Sequence, residues 1–129
     1  MPLAVTVPVQ VRFADLDPLN HVNNVAYFAL METARVEFLR EHLHSLFGNL
    51  VIARNECDYK KQIRGGTRWV DVDVSVERVG TSSFILLQEI RSSSHVHAVG
   101  RTVQVAVDDD RLPRPLSEDE RRLLGAAWT

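Results

Sequence analysis

Between Arg12 and Tyr27 the chain gathers two carboxylates, Asp15 and Asp17, one imidazole, His21, and three side-chain amides, Asn20, Asn23 and Asn24. A carboxylate attacks a carbonyl directly or takes the proton from a water that does so. An imidazole donates a hydrogen bond or moves a proton. If a helix starts just after these residues, its unpaired backbone N–H groups and positive dipole end can hold the oxyanion that carbonyl chemistry creates. The residue types therefore point to carbonyl chemistry.

The elements that must position them follow from periodicity. Val5, Val7, Val9, Val11 and Phe13 fall at every second position, the pattern of a half-buried strand, with Pro8 on its polar face marking an edge or a bulge. From Val25 the period changes. Val25, Phe28, Ala29, Glu32, Val36, Leu39, Leu43, Leu46 and Phe47 recur three or four apart, which predicts a helix over 24–46 with this stripe as its buried face. Asn23 or Asn24 caps it and Gly48-Asn49 stops it. Residues 50–63, 69–79, 84–91 and 96–107 read as four strands, the third apolar enough to be an inner one. Gly80-Thr81-Ser82 is a hairpin turn and Gly100 marks a bulge. Ser117-Glu118-Asp119-Glu120 is a capping box that should open a short C-terminal helix after a linker from Arg111. One helix across one face of an antiparallel sheet is an α+β layer architecture, and its open edges favour a dimer. Residues 1–110 form the expected domain and 111–129 the linker and short helix.

Composition narrows the function classes. A 129-residue chain is one domain by default, and 45% hydrophobic with 25% charged residues is ordinary globular content. The formal net charge of −2 sets up no strong field for nucleic acid or an anionic membrane. Cys57, the only cysteine, can form no disulfide within the chain, which fits a cytoplasmic home. No run reaches transmembrane length and no basic segment precedes an apolar block at the N-terminus.

The junction motifs Arg12-Phe13-x-Asp15-x-Asp17, His21-Val22-Asn23-Asn24-x-x-Tyr27 and Glu32-x-Ala34-Arg35 resemble those of hotdog-fold acyl-CoA thioesterases, in particular the 4-hydroxybenzoyl-CoA thioesterase-like group. Weaker likeness resumes at Asp58-Tyr59-Lys60-Lys61 and from Val76 to Phe84, so about residues 5–108 are covered. The resemblance implies a homodimer, with a tetramer open, and active sites at the subunit interface. It implies hydrolysis of an acyl-CoA or acyl-carrier-protein thioester without a cofactor. Asp17 would be nucleophile or general base, and the backbone N–H of Asn24 would polarise the carbonyl. His21 is either a donor to the thioester or a turn residue. Asn23, Tyr27, Thr81, Ser82 and Ser83 would contact substrate.

Some relatives carry basic residues for the CoA phosphates in the turn matching Gly80-Thr81-Ser82, which is uncharged here. On charge alone Arg64, Arg68 and Arg101 are candidates for that task. Plant acyl-carrier-protein thioesterases share the Asp17–His21 spacing but carry Asn at Leu19 and Glu-Cys at Gln62-Ile63, so their catalytic set is not present.

Several residues have plainer readings. Asp17 before Pro18 is also a natural turn residue, and Asp15 is first a turn carboxylate and second a base. Glu32, on the expected buried stripe, should pair with Arg35 or Arg12. His95 and His97 share a strand face without a third metal ligand and read as a surface pair. Trp69 packs at a strand start, and Cys57 is a small apolar filler. Two other functions fit the same junction: a hotdog hydratase or dehydratase acting on an acyl thioester, and a catalytically silent acyl-thioester binder.

Overall fold

The computed structural model describes residues 4–125; the ends of both expected segments, 1–3 and 126–129, lie outside the described residues. Along the chain come β1 (Ala4–Gln10), α1 (Ala26–His42), β2 (Leu50–Tyr59), β3 (Trp69–Val79), β4 (Ser83–Ser92), β5 (His95–Ala106) and α2 (Glu118–Gly125). The strands form one antiparallel sheet in the order β1-β3-β4-β5-β2, and α1 lies on one face of it. β4, the most continuously apolar strand, is central as its composition requires. Pro8 lies on edge strand β1, where a missing N–H costs least.

β2 does not pair with β3, the next strand in the chain. Tight turns join β3 to β4 and β4 to β5, but residues 60–68 are a long connection that carries the chain from edge strand β2 across the sheet to β3, which lies next to the opposite edge strand β1. β2 therefore pairs with β5, Cys57 facing Gly100. Gly100 is in regular register and is no bulge; the register shifts fall at Ile52/Arg54, Val76/Arg78 and Ile90/Arg91. A glycine is needed there for another reason. A Cβ would stand 2.5 Å from Met31 Sδ and 3.1 Å from the Glu56 carbonyl.

β1 stops at Gln10 rather than Phe13. The Asp15 carboxylate accepts the Arg12 backbone N–H at 2.7 Å and its guanidinium at 2.9 Å, and these bonds turn the chain out of the sheet. Phe13 is left fully in solvent.

The face of α1 differs from the expected stripe. Tyr27, Leu30, Met31, Ala34, Arg35, Phe38 and Leu39 are buried, whereas Val25, Ala29, Glu32 and Val36 are not. Both faces carry apolar residues, so the period was legible but its phase was not; packing selected the face with the larger side chains. Glu32 is accordingly exposed, and its helix neighbour Arg35 is the buried charge. The helix ends at His42, yet Leu43 and Leu46 remain buried because the turns after it keep folding back through Leu46 N–H to Leu43 C=O and Asn49 N–H to Leu46 C=O. At its start, the Asn23 carbonyl accepts Ala26 N–H and the Asn23 side chain accepts Val25 N–H at 3.0 Å, so Asn23 is the capping amide. Trp69 is more than half exposed instead of packed.

α2 is fastened by the expected capping box. Glu120 N–H donates to Ser117 Oγ at 3.1 Å, and Ser117 N–H donates back to the Glu120 carboxylate at 2.8 Å. The same carboxylate takes two bonds from Arg114, each 2.9 Å, and one from Ser45. The Arg114 guanidinium, followed by these other donors, holds Glu120 down at about 2, from 4.5. A depressed carboxylate stabilises the fold above its unfolded pKa and stops doing so as pH falls through the folded one. Glu120→Gln should therefore cost on the order of 3 kcal/mol near neutral pH, with roughly half of the difference gone by pH 3 and nearly all of it below pH 2. Denaturant titration of both proteins across that range measures it; a pH-independent gap would show that the pair does not set the stability of α2.

Candidate active site

Residues 16–24 form a closed turn between β1 and α1. Leu16 bridges Val22, Asp17 N–H donates to His21 C=O at 2.9 Å, and Asn20 N–H donates to Asp17 C=O at 3.0 Å. Asn20 occupies the left-handed region at φ 61°. The turn is stitched to the connection after β2: Val22 N–H to Ile63 C=O at 2.9 Å, Gly65 N–H to Asn20 C=O at 2.7 Å, and a bridge between His21 and Arg64. Gly65 leaves room for the Asn20 amide: a Cβ would lie 2.0 Å from Asn20 Oδ1, so that side chain would have to move.

Within this frame Asp17 is half-buried, and its two oxygens differ. Oδ1 accepts Leu19 N–H at 2.9 Å and His21 N–H at 3.3 Å, the turn role foreseen from Asp17-Pro18. Oδ2 accepts no hydrogen bond among the described residues, and Asp17 lines a cavity of about 380 Å³. His21 lines it too, and its Nδ1 is buried without a partner. Asn24 lines the same cavity; its carbonyl accepts Tyr59 O–H at 2.8 Å, and among the described residues its N–H reaches no protein acceptor. Tyr27 forms the floor. Its hydroxyl accepts Ile63 N–H at 3.2 Å and its ring meets Tyr59 edge-on at 5.0 Å. Burial raises the Tyr27 phenol above its ordinary pKa, so it stays neutral.

Asp17, His21, Asn24 and Tyr27 thus converge. Asn23 sits beside them, with its side chain turned to the helix start. Asp15 is a buried turn carboxylate bound to Arg12. Thr81, Ser82 and Ser83 are not brought to this cavity within one chain: they lie past the far end of β3, whose 11 residues extend over roughly 35 Å at about 3.3 Å each. There Leu116 N–H donates to Thr81 C=O and Ala106 N–H to Ser82 C=O. Sequence reasoning left Tyr59, Lys60, Lys61 and Gln62 without a role, and all four line the cavity. Their signal was the charge run before Gly65-Gly66. His97 is no surface residue either. It is buried, with Nδ1 donating to Lys61 C=O at 2.9 Å and Nε2 at 2.5 Å from Ser92 Oγ. Among the described residues no three of His, Cys, Asp or Glu converge as a metal would need.

A larger cleft of about 610 Å³ lies between Val79 and α2, but its arginines are engaged, Arg121 with Gly80 C=O and Arg122 with Asp119.

Comparison with known proteins decides the family. Residues 11–124 match the model of the thioesterase-like superfamily. The chain belongs to that superfamily. A predicted thioesterase from Bacillus stearothermophilus is 30% identical and superposes with a TM-score of 0.83, covering 97% of this chain and 96% of that one. A thioesterase from Thermus thermophilus, solved in complex with coenzyme A and zinc, is 33% identical with a TM-score of 0.80 over 95% of this chain and 92% of that one. A 1,4-dihydroxy-2-naphthoyl-CoA thioesterase from Synechocystis shares the fold, with a TM-score of 0.80 at 18% identity over 94% of this chain and 95% of that one. The Bacillus subtilis protein YsmA is 32% identical over 82 residues, 60% of this chain and 54% of its own length. The fold is the hotdog fold, as the junction motifs implied. No helix of the described residues is long and apolar enough to cross a membrane.

The clamp on the turn has a measurable consequence. Gly65→Ala should push the Asn20 turn away from residues 63–65 and cost roughly 1–3 kcal/mol in denaturant unfolding. An unchanged midpoint would show that the Asn20 side chain swings aside freely.

Proposed function

We propose that this chain hydrolyses acyl-CoA thioesters, with Asp17 supplying the attacking group. The observation that carries the reading is that Asp17, whose Oδ2 accepts no hydrogen bond among the described residues, lines one cavity with His21 and with Asn24, whose N–H has no protein acceptor among them. A thioester carbonyl placed there finds a carboxylate on one side and helix-end N–H groups on the other. Attack by Oδ2, or by a water whose proton Oδ2 takes, puts negative charge on the carbonyl oxygen, and the Asn24 N–H stabilises it. Collapse breaks the C–S bond; where water attacked, the departing thiolate takes the proton that Oδ2 had accepted and the free acid is released, and where Oδ2 attacked, a water then hydrolyses the acyl–Asp17 anhydride, regenerating the carboxylate and supplying the thiolate's proton. With Oδ1 held by two backbone N–H groups, the carboxylate cannot rotate away, so Oδ2 is aimed before substrate arrives.

A homodimer through β2 completes this reading. β2 is an edge strand with Val51, Ile52 and Tyr59 exposed, a liability in a single chain and a template for pairing with a second copy. In an antiparallel β2–β2 pair, the Leu50 end of the partner lies against the Tyr59 end of the first chain. Leu50 faces Ala106, and Ser83 faces Val105. The partner's Thr81–Ser83 turn then reaches the same end of the joint sheet as Asp17, which restores a substrate role for residues that one chain leaves remote. The Thermus relative bound to coenzyme A supports a CoA-type handle.

The test is free-thiol release from aromatic and short-to-long aliphatic acyl-CoAs by wild type and Asp17→Asn. Wild type is expected to turn over at least one, and the variant to lose at least roughly a hundredfold in kcat. Thiol release that survives the substitution would remove Asp17 from the mechanism; none from any ester would leave a binder or a hydratase. For the assembly, Ile52→Asp should shift a sedimenting dimer toward monomer and lower kcat in parallel. A variant that is monomeric and fully active would make the interface irrelevant to catalysis.

A further inference from the structure

We propose that Lys60, Lys61, Arg64 and Arg68 form a strap that grips the nucleotide phosphates of the CoA handle; this rests on the acyl-CoA reading above and says where that handle is held.

Four observations point to it. Between Asp58 and Asp71 the chain carries these four cations and no acid, in a molecule whose net charge is −2. None of the four lies within salt-bridge distance of a carboxylate among the described residues, whereas Arg12, Arg54, Arg91, Arg101 and Arg114 each do. Lys61 Nζ has only His95 Nδ1 nearby, at 3.5 Å. Cations left without partners, on a protein that pairs most of its others, are free to meet an anionic ligand.

The third observation is position. Lys60 and Lys61 line the cavity of Asp17 and His21, and the backbones of Arg64 and His21 pair, so the cationic segment starts at the proposed thioester site and runs away from it to Arg68.

The fourth is rigidity. The backbone of the strap is fixed without using its charged ends. Lys60 N–H and Lys61 N–H both donate to the His97 carbonyl, at 2.8 and 3.1 Å, and buried His97 Nδ1 donates to Lys61 C=O. Further along, Ile63 and Gly65 are tied to the catalytic turn and Thr67 N–H donates to Arg64 C=O at 3.2 Å. A cationic segment whose stems are pinned and whose heads are free is organised for phosphate before binding, which cuts the ordering penalty.

The other basic region of the chain is less suited. Arg121 and Arg122 near the Gly80–Ser82 turn sit among Glu118 and Asp119, and both already have partners. Arg101, a candidate from sequence, is held by Glu77 at 2.8 Å.

The experiment compares one acyl group on CoA and on N-acetylcysteamine, which lacks the phosphates, with wild type and with Lys60→Gln/Lys61→Gln. Calorimetry with adenosine 3′,5′-bisphosphate runs alongside. The kcat/KM ratio of CoA ester to truncated ester should fall at least roughly tenfold in the variant, mainly through KM, and the bisphosphate should bind correspondingly weaker. Added salt should weaken wild type more than the variant. Lys60→Arg/Lys61→Arg should restore most of the ratio, and its failure to do so would count against a charge role. An unchanged ratio and unchanged bisphosphate affinity overturn the proposal. So does a ratio lost instead in Arg78→Gln/Arg121→Gln, or a sensitivity seen only with an acyl-carrier protein, which would make the strap a docking surface for an acidic protein. If wild type hydrolyses neither ester, the hydrolase reading fails and calorimetry alone decides: weaker bisphosphate binding in the variant upholds the strap, and equal or absent binding rejects it.

Discussion

The structure depends on the stitching of the Leu16–Asn24 turn to residues 63–65. That turn has neither the ladder of a strand nor the repeating bonds of a helix, so its backbone groups need partners elsewhere. Ile63, Asn20 and Gly65 supply them across a gap of about forty residues in sequence, and the His21–Arg64 bridge closes the seam. The same bonds do two jobs. They satisfy an otherwise costly loop, and they hold Asp17 with one oxygen committed and the other open. The long crossover that puts β2 at the far edge of the sheet is what brings residues 60–65 back to the turn. The geometry of the site and the strand order are therefore one constraint.

A second constraint lies beneath α1. Arg35 is almost wholly buried, and burial is the main influence pulling its pKa down from the ordinary guanidinium value. Its nearest polar partners are neutral, Thr102 Oγ1 at 3.3 Å and Gln88 Oε1 at 3.4 Å, and the exposed Glu32 carboxylate stands farther off at 3.9 Å. Thr102 gives its one proton to Asn55 Oδ1 at 2.8 Å, which leaves its lone pairs for the guanidinium, and Gln88 spends its amide on the Met31 carbonyl at 2.7 Å. The network links α1 to β4, β5 and β2 in one fixed arrangement. A charge so placed costs more than an apolar side chain would, and what it contributes is a defined registry between helix and sheet.

How much of this was legible follows from which interactions are local. The strands, the hairpin turn and the α2 capping box are set by residues close in sequence, and periodicity or spacing exposes them, while the grouping of Asp17, His21 and Asn24 was implied by the resemblance of the junction motifs. The buried face of α1 was not legible, because Val25 and Val36 on its outer side imitate core positions and only contact with the sheet chooses between the faces. Glu32 and Arg35 were interchanged as buried charge for the same reason. The edge position of β2 was hidden by a connection whose length says nothing of its direction. With β2 misplaced, Lys60 and Lys61 could not be seen as walls of the site, and His97 looked like a surface residue although it anchors their backbone.

The outer surface of the chain carries the same logic outward. Val25, Val36, Ile52 and Tyr59 are exposed apolar groups, and scattered ones would need no explanation. Here Ile52 and Tyr59 lie on edge strand β2, and Tyr59 also lines the cavity, while Val25 stands at the helix start. On the proposed reading, the cavity of a single copy receives the acyl thioester while still open to water. Water in that space would weaken each electrostatic contact made to the developing oxyanion, since the dielectric there sets its strength. A second copy seated on β2 would exclude that water and shield the carbonyl from competing donors. On the proposed reading, the unpaired edge of the sheet and the chemistry of Asp17 are then consequences of one design, in which the fold of one chain is complete and its reaction chamber is completed by another.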